Sequence, residues 1–276
     1  MIPLNINNYD RVTNHLKKVS INNLFARSVI EKKISGKVFV DNDKNPKTFY
    51  IVHPYGMSLL FGDPGNPEFN QNFLDYSLNS KKQRNNPEWM QAYPAEWNNV
   101  LSDLYKDHLI NPSEFKRKTG NGIIELNTRV NFKFNPKKHH EYKEINLPKD
   151  CEIRKTDKNI YNEMRGSVIP SKFWDSEEDF INGGVGFSLY CNQNLAATAY
   201  SAFIHDNKLE IGIETIPEYR GYGYAQLTCS ALIDFCLKNN FEPVWACRLE
   251  NTPSFKLAEK LGFEAIAKIP YYRLGK

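Results

Sequence analysis

The sequence predicts an α/β fold of the α+β kind in two domains, and three observations carry that expectation. The chain has 276 residues, about twice the usual domain size. The segment NPKKHHEYKEINLPKD, residues 135–150, is polar, charged and twice interrupted by proline, and it separates two stretches that each carry their own apolar pattern. In the second stretch, strand-like and helix-like runs follow one another as they do in a mixed sheet flanked by helices. A boundary near residue 145 gives domains 1–145 and 146–276.

After that boundary, CEIRKT reads as a strand, and a helix starts at about Asp157. A second helix starts at Asp175, where Asp-Ser-Glu-Glu puts acids in the first turn. GFSLYC, LAATAYSAFI and KLEIGIET are three strands separated by turn residues. Tyr224, Leu227, Ala231 and Phe235 recur every three or four positions, so 222–238 is an amphipathic helix ended by Asn239 and Asn240. A strand PVWACR, a helix SFKLAEKL closed by Gly262 and a last strand around EAIAKIPYYRL complete the order. The first domain has the same plan in weaker form: GKVFV, KTFYIV and GMSLLFG precede a helix-like PEFNQNFLDYSL. A duplicated architecture is one reading of this, and any meandering sheet is the other.

Composition narrows the function. No stretch approaches the roughly 18 to 20 apolar residues of a membrane span, and the start MIPLNINNYDRVTNHLKK lacks the apolar core of a signal peptide. A cytosolic address and no membrane partner are expected. Residues 1–140 carry 20 basic against 13 acidic side chains and the remainder 16 against 19. Without aromatics interleaved in a basic run, that mild asymmetry does not indicate nucleic acid. Five cysteines without a CxxC spacing read as reduced, mostly buried thiols, and six histidines without ligand spacing predict no metal.

The residues that carry chemistry lie between KLEIGIET and the helix after it: Pro217-Glu-Tyr-Arg220-Gly221-Tyr222-Gly223-Tyr224-Ala225. Glycines at the first turn let an anion approach backbone N–H groups that have no helical acceptor, where the helix dipole also favours negative charge. The loop lacks the Lys-Ser/Thr of a triphosphate loop and follows a late strand, which argues against a dinucleotide fingerprint.

Arg220-x-x-Gly223-x-Ala225 resembles the R/Q-x-x-G-x-G/A signature of the GNAT acyl-CoA transferases, and Asn251-Thr-Pro-Ser254-Phe-Lys-Leu257-Ala-Glu-Lys-Leu261-Gly262-Phe263 resembles the second signature, N-x-x-A/S-x-x-L-Y-x-x-x-G-F. The wording EIGIETIPEYR, PVWAC and NTPSFKLAEKLGF is similar to the two-domain branch that includes the zwittermicin A resistance type, with good coverage of 147–276 and thin coverage before. The resemblance implies a C-terminal GNAT fold with a mixed, mostly antiparallel splayed sheet, preceded by a smaller α/β domain of degenerate GNAT-like plan that is open to acceptor-recognition or dimerisation roles. It implies acetyl-CoA as co-substrate, with the pantetheine arm on Ile213, Glu214 and Thr215 and the pyrophosphate on residues 221–225. Asn251 and Ser254 would touch the cofactor arm, and Arg220 would either contact the pyrophosphate or brace the turn. It further implies direct transfer of an acetyl group to an amine, here a primary amine of a small molecule, without an acyl-enzyme.

An amine with a pKa near 10 must lose a proton before it attacks. Glu210 and Glu214 are the nearest carboxylates to the expected thioester, and strand alternation puts them on one face with Gly212 unless a bulge intervenes. Where the second signature has its usual acid, tyrosine, this chain has Ala258; Tyr222, Tyr224, Tyr271 and Tyr272 are the alternatives. Trp174 falls where GNAT folds build the acceptor pocket, as a candidate substrate-binding residue. The chain ends soon after Tyr271 and Tyr272, leaving little room for the usual last strand, so the first domain or a second subunit would cover that edge. The rival readings are an acyl-CoA sensor without turnover and a protein or peptide N-acetyltransferase. Aminoacyl-tRNA-dependent tandem GNAT enzymes fit less well, because they do not use the coenzyme A loop retained here.

Overall fold

A strand meander, a helix and then a strand parallel to the last of the meander occur in that order twice along the chain. The computed structural model describes residues 1–111, 122–141 and 146–276. The chain divides into two compact units: Met1–Val130 with Arg248–Glu250 and Ala267–Lys276, and Asn131–Cys247 with Asn251–Ile266. The boundary that the sequence places near residue 145 lies outside the described residues.

The first unit opens with β1 (Ile2–Pro3), helices Asp10–Leu16 and Leu24–Ile30, β2 (Lys37–Val40), β3 (Thr48–Val52) and β4 (Met57–Gly62). Helix Pro67–Ser77, β5 (Glu88–Tyr93), helix Trp97–Tyr105, β6 (Leu109–Ile110) and β7 (Ile124–Phe134) follow. Strands β1 to β4 pair antiparallel, and β5 runs parallel to β4. The chain continues through helix Pro136–Glu141, β8 (Cys151–Lys155), helices Lys158–Glu163 and Glu177–Gly183, β9 (Gly186–Cys191), β10 (Asn194–His205) and β11 (Lys208–Thr215). Helix Tyr224–Lys238, β12 (Glu242–Val244), β13 (Ala246–Arg248), helix Thr252–Lys260 and β14 (Phe263–Leu274) complete it. Strands β8 to β11 pair antiparallel and β12 runs parallel to β11, so the second unit repeats the first.

Local chemistry sets the elements. Asp157 accepts from the Ile160 N–H at 2.9 Å, and Ser176 from the Asp179 N–H at 3.0 Å; both are N-caps, the second followed by three acids in the first turn. In the second unit one sheet face packs on helix 224–238 through Phe187 against Phe235, and the other takes Phe173 and Phe180 around Tyr200. In the first unit Tyr50, Phe73 and Tyr76 pack edge-on and Trp97 is fully buried. Aromatic packing of this kind adds about 0.5–1.5 kcal/mol per pair beyond area burial.

Two expectations are corrected. Cys151 and Cys191 are not separate thiols: they stand directly opposite each other on β8 and β9 and form a disulfide. In a reducing compartment such a pair stands as two thiols. Cys229, Cys236 and Cys247 are buried thiols outside any disulfide, and burial pushes the Cys236 thiol up to about 12. His139 is not in a linker; it is buried on helix 136–141, with Nδ1 3.0 Å from the Leu261 carbonyl oxygen and its backbone against Gly262. The last strand expected around EAIAKIPYYRL is β14. Tyr272 to Leu274 of β14 pair with Met90 to Glu88 of β5, in the first unit.

Candidate active site

In the second unit, β11 is paired on one side with β12 only from Lys208 to Glu210, opposite Glu242 to Val244. Beyond Val244 the chain turns away, and the Trp245 carbonyl accepts from the Phe132 N–H at 3.1 Å. Residues 211–215 therefore have no strand on that side among the described residues, while β10 pairs with them on the other. This is the splay expected from the resemblance, and it leaves backbone groups of Ile213, Glu214 and Thr215 at an open edge.

At the end of that edge the chain passes through a 3-10 turn, Pro217–Tyr219, into the glycine loop. Gly221 has φ +89°, with open space where a Cβ would stand, and Gly223 has φ +81° at the N-cap of helix 224–238. The left-handed turn at Gly223 explains why the helix starts at Tyr224 and not at 222. No side chain caps it, so the first-turn N–H groups, Tyr224 and Ala225 among them, face outward at the positive end of a 15-residue helix. Tyr222 is exposed and stacks on Tyr224, whose hydroxyl lies 3.8 Å from the Cys151 sulfur.

The matching turn of the first unit is chemically different. Asp63 accepts from the Gly65 N–H at 2.8 Å and Asn66 caps Phe69 at 3.0 Å, so its own side chains occupy the donors that an anion would need. A carboxylate there also repels an anion.

Arg220 braces the loop. Its Nε donates to the Thr215 carbonyl at 3.1 Å and its Nη2 lies 3.6 Å from Glu214 Oε1. The other Glu214 oxygen accepts from the N–H groups of Ser167 and Val168, both at 2.8 Å. Gly166, at φ +145°, makes room for this: a Cβ there would stand 2.5 Å from Glu214 Oε2. Glu214 thus ties the 166–168 loop to β11 and to Arg220, and its contacts with Ser167 and Val168, 47 and 46 positions distant, are ones that sequence reading misses. The positive-φ glycine of Arg-Gly-Ser was its only signal.

The bulge near the splay falls in β10, between Ser201 and Phe203, and β11 keeps its alternation. Glu210, Gly212 and Glu214 therefore share a face as expected, with the Tyr200 ring lying across Gly212 and Glu210 buried. A row of buried hydroxyls leads to Glu214: Thr156 to Ser188 at 2.9 Å, Ser188 to Thr198 at 2.8 Å, and Thr198 opposite Glu214 in register. Met164, Leu195, Thr198, Glu214 and Ile216 line a small pocket at this point.

Asn251 is the N-cap of helix 252–260 and accepts from the Ser254 N–H at 3.4 Å. Ala258 is fully buried on that helix. Trp174 donates to the Ser201 carbonyl at 2.9 Å, and its ring fills the space beside Gly183 and Gly184. Tyr271 and Tyr272 belong to the first unit, where Tyr272 sits in the core and burial pushes its hydroxyl up to about 12. Among the described residues no three His, Cys, Asp or Glu side chains are placed to hold a metal, and no helix is long and apolar enough to cross a membrane.

A family model for GNAT acetyltransferases matches residues 14–272. The chain belongs to the GNAT acetyltransferase family. It is 28% identical over 253 residues to the uncharacterized N-acetyltransferase YdfB of Bacillus subtilis (strain 168), covering 91% of this chain and 90% of that one. Among solved GNAT structures, a GCN5-related N-acetyltransferase-like protein from Streptococcus suis superposes with TM-score 0.71 at 20% identity, covering 97% of this chain and 99% of the other. A tandem GNAT protein from the clavulanic acid biosynthesis pathway superposes with TM-score 0.62 at 11% identity, covering 99% and 97%. This GNAT chain is a transferase by family, and the twofold order of its elements is shared over whole chains.

Proposed function

We propose that the chain is an acetyl-CoA-dependent N-acetyltransferase that acetylates a primary amine of a small molecule by direct transfer. The observation that carries this reading is the parting of β11 from β12 after Glu210, with an uncapped, glycine-entered helix at the end of the open edge. That edge suits the amides of a pantetheine arm, and the N–H groups of residues 221–225 suit a pyrophosphate. Asn251 and Ser254 would hold the arm from the next helix. Acetyl-CoA bound there supplies an acetyl thioester as the acyl donor.

The protein's part is to bind, orient and move one proton. Glu214 is the carboxylate best placed to take it from the amine, because it lines the pocket beside the open edge; Glu210 is the second candidate. With Oε2 committed to two N–H donors, proton acceptance falls to Oε1 or to a water held by it. Arg220 serves as brace, and a contact with the pyrophosphate would be additional. Tyr222 and Tyr224 are the remaining hydroxyls for protonating the leaving thiolate, which needs little help because thiols are far stronger acids than alcohols. Trp174 is proposed at the acceptor side, through the segment it holds in place. A cytosolic address, no nucleic-acid or membrane partner, and affiliation with the zwittermicin A resistance branch belong to the same proposal. A homodimer remains compatible with it.

The buried Ala258 in place of tyrosine favours a second reading, an acyl-CoA sensor without turnover. Thiol release from acetyl-CoA across a panel of small primary amines and lysine peptides separates the readings. Release with small amines well above that with peptides is expected; cofactor binding without release from any amine would leave only the sensor.

A further inference from the structure

The strand β7 alternates in an unusual way: Glu125, Asn127 and Arg129 share one face and all three are buried, at 7%, 2% and 8% exposure. In an ordinary two-faced strand such a polar row meets water. The opposite face carries Ile124, which joins Met90, Tyr272 and Leu274 in the apolar core of the first unit. The polar face extends to the neighbouring strands, where Arg273 of β14 stands opposite Trp89 of β5. All of these residues, with Arg248, belong to the first unit.

Guanidinium groups and aromatic rings are layered on this face. Arg248 lies 4.5 Å over the Trp89 ring and Arg273 lies 5.8 Å from it, Tyr271 stacks on Trp89 at 5.3 Å, and Arg129 lies 5.3 Å over Tyr271. Glu125 approaches Arg273 at 3.7 Å. Arg248 donates to the Asn127 amide oxygen at 3.4 Å and has no carboxylate within ion-pair distance among the described residues. Glu88, the other buried acid nearby, is held on the opposite side by the Tyr50 and Tyr76 hydroxyls. Arg129 is buried while Arg248 and Arg273 are half-buried, and Arg248 is held by a ring face and an amide oxygen and, among the described residues, not by a carboxylate, an arrangement that suits an anionic ligand. Stacking on an indole fixes a guanidinium by its face and leaves its N–H edge aligned for a planar, two-oxygen acceptor.

We propose that this face, centred on Arg248 and Trp89, binds the carboxylate of a small anionic molecule.

A titration of the full chain tests the site. Acetate, succinate, glutarate, citrate and inorganic phosphate are added while tryptophan fluorescence and heat are followed. At least one carboxylate is expected to saturate below about 10 mM, with Arg248→Ala weakening it at least about tenfold and Arg248→Lys restoring part of the loss. Thermal unfolding checks that the variant is folded, and Trp89→Phe provides a second variant if Arg248→Ala is not. Binding that no variant alters, no saturation, or phosphate bound as tightly as any carboxylate would overturn the assignment.

Discussion

Replacing Gly223 by aspartate is expected to weaken acetyl-CoA binding at least about a hundredfold, or about 2.7 kcal/mol. Gly223 turns the chain at φ +81° into helix 224–238, and the donors of that first turn have no cap. A carboxylate at this position would accept from those donors itself and would repel the pyrophosphate. Backbone strain contributes as well, because a side chain at positive φ is disfavoured. Gly223→Asn isolates the charge, since asparagine caps the same donors and tolerates the same left-handed region but is neutral. Its loss is expected to stay within about tenfold. Equal losses in the two variants, read by calorimetry, would remove the electrostatic part of the account.

Replacing Glu214 by glutamine is expected to lower kcat by about a hundredfold, within the range for a lost general base, and to leave acetyl-CoA affinity within about threefold. Glutamine keeps a carbonyl oxygen for the Ser167 and Val168 N–H groups, so the loop stays seated while the proton acceptor is lost. Alanine removes both functions. Two N–H groups at or near the surface then lose their acceptor and the Arg220 guanidinium keeps only the Thr215 carbonyl, so unfolding free energy is expected to fall by about 1 kcal/mol in denaturant titration. A glutamine variant with wild-type kcat across the pH profile would leave Glu214 as a positioning residue and move the base to Glu210.

Much of the second unit is legible because its determinants are local. KLEIGIET is a strand over the same eight residues in sequence and structure, and the spacing of Leu227, Ala231 and Phe235 marks the helix that follows. The glycine loop is read from its own residue types. What escapes the sequence depends on residues brought together from far apart. The Cys151–Cys191 bridge needs the register of β8 on β9, and the Glu214 clamp needs a glycine 48 positions upstream. The polar row of β7 has the alternation of any half-exposed strand, and only its burial distinguishes it. Helix 136–141 has a charged, proline-led sequence that reads as a linker, and a single buried histidine anchors it. β14 is recognisable as a strand, but its division between two units is not, because partner choice is a long-range property.

The duplicated order of elements makes the cofactor site a question of chemistry. Both units pass from a meander through a turn into a helix, yet Asp63 and Asn66 occupy the donors of the first turn while the second is left open by Gly221 and Gly223. The proposed function therefore expects one coenzyme A site per chain. Calorimetric titration of the full-length chain with acetyl-CoA tests this most directly. The account predicts saturable micromolar binding at a stoichiometry of one, competed by coenzyme A. Absence of binding by either compound, or two equivalent sites per chain, would contradict it.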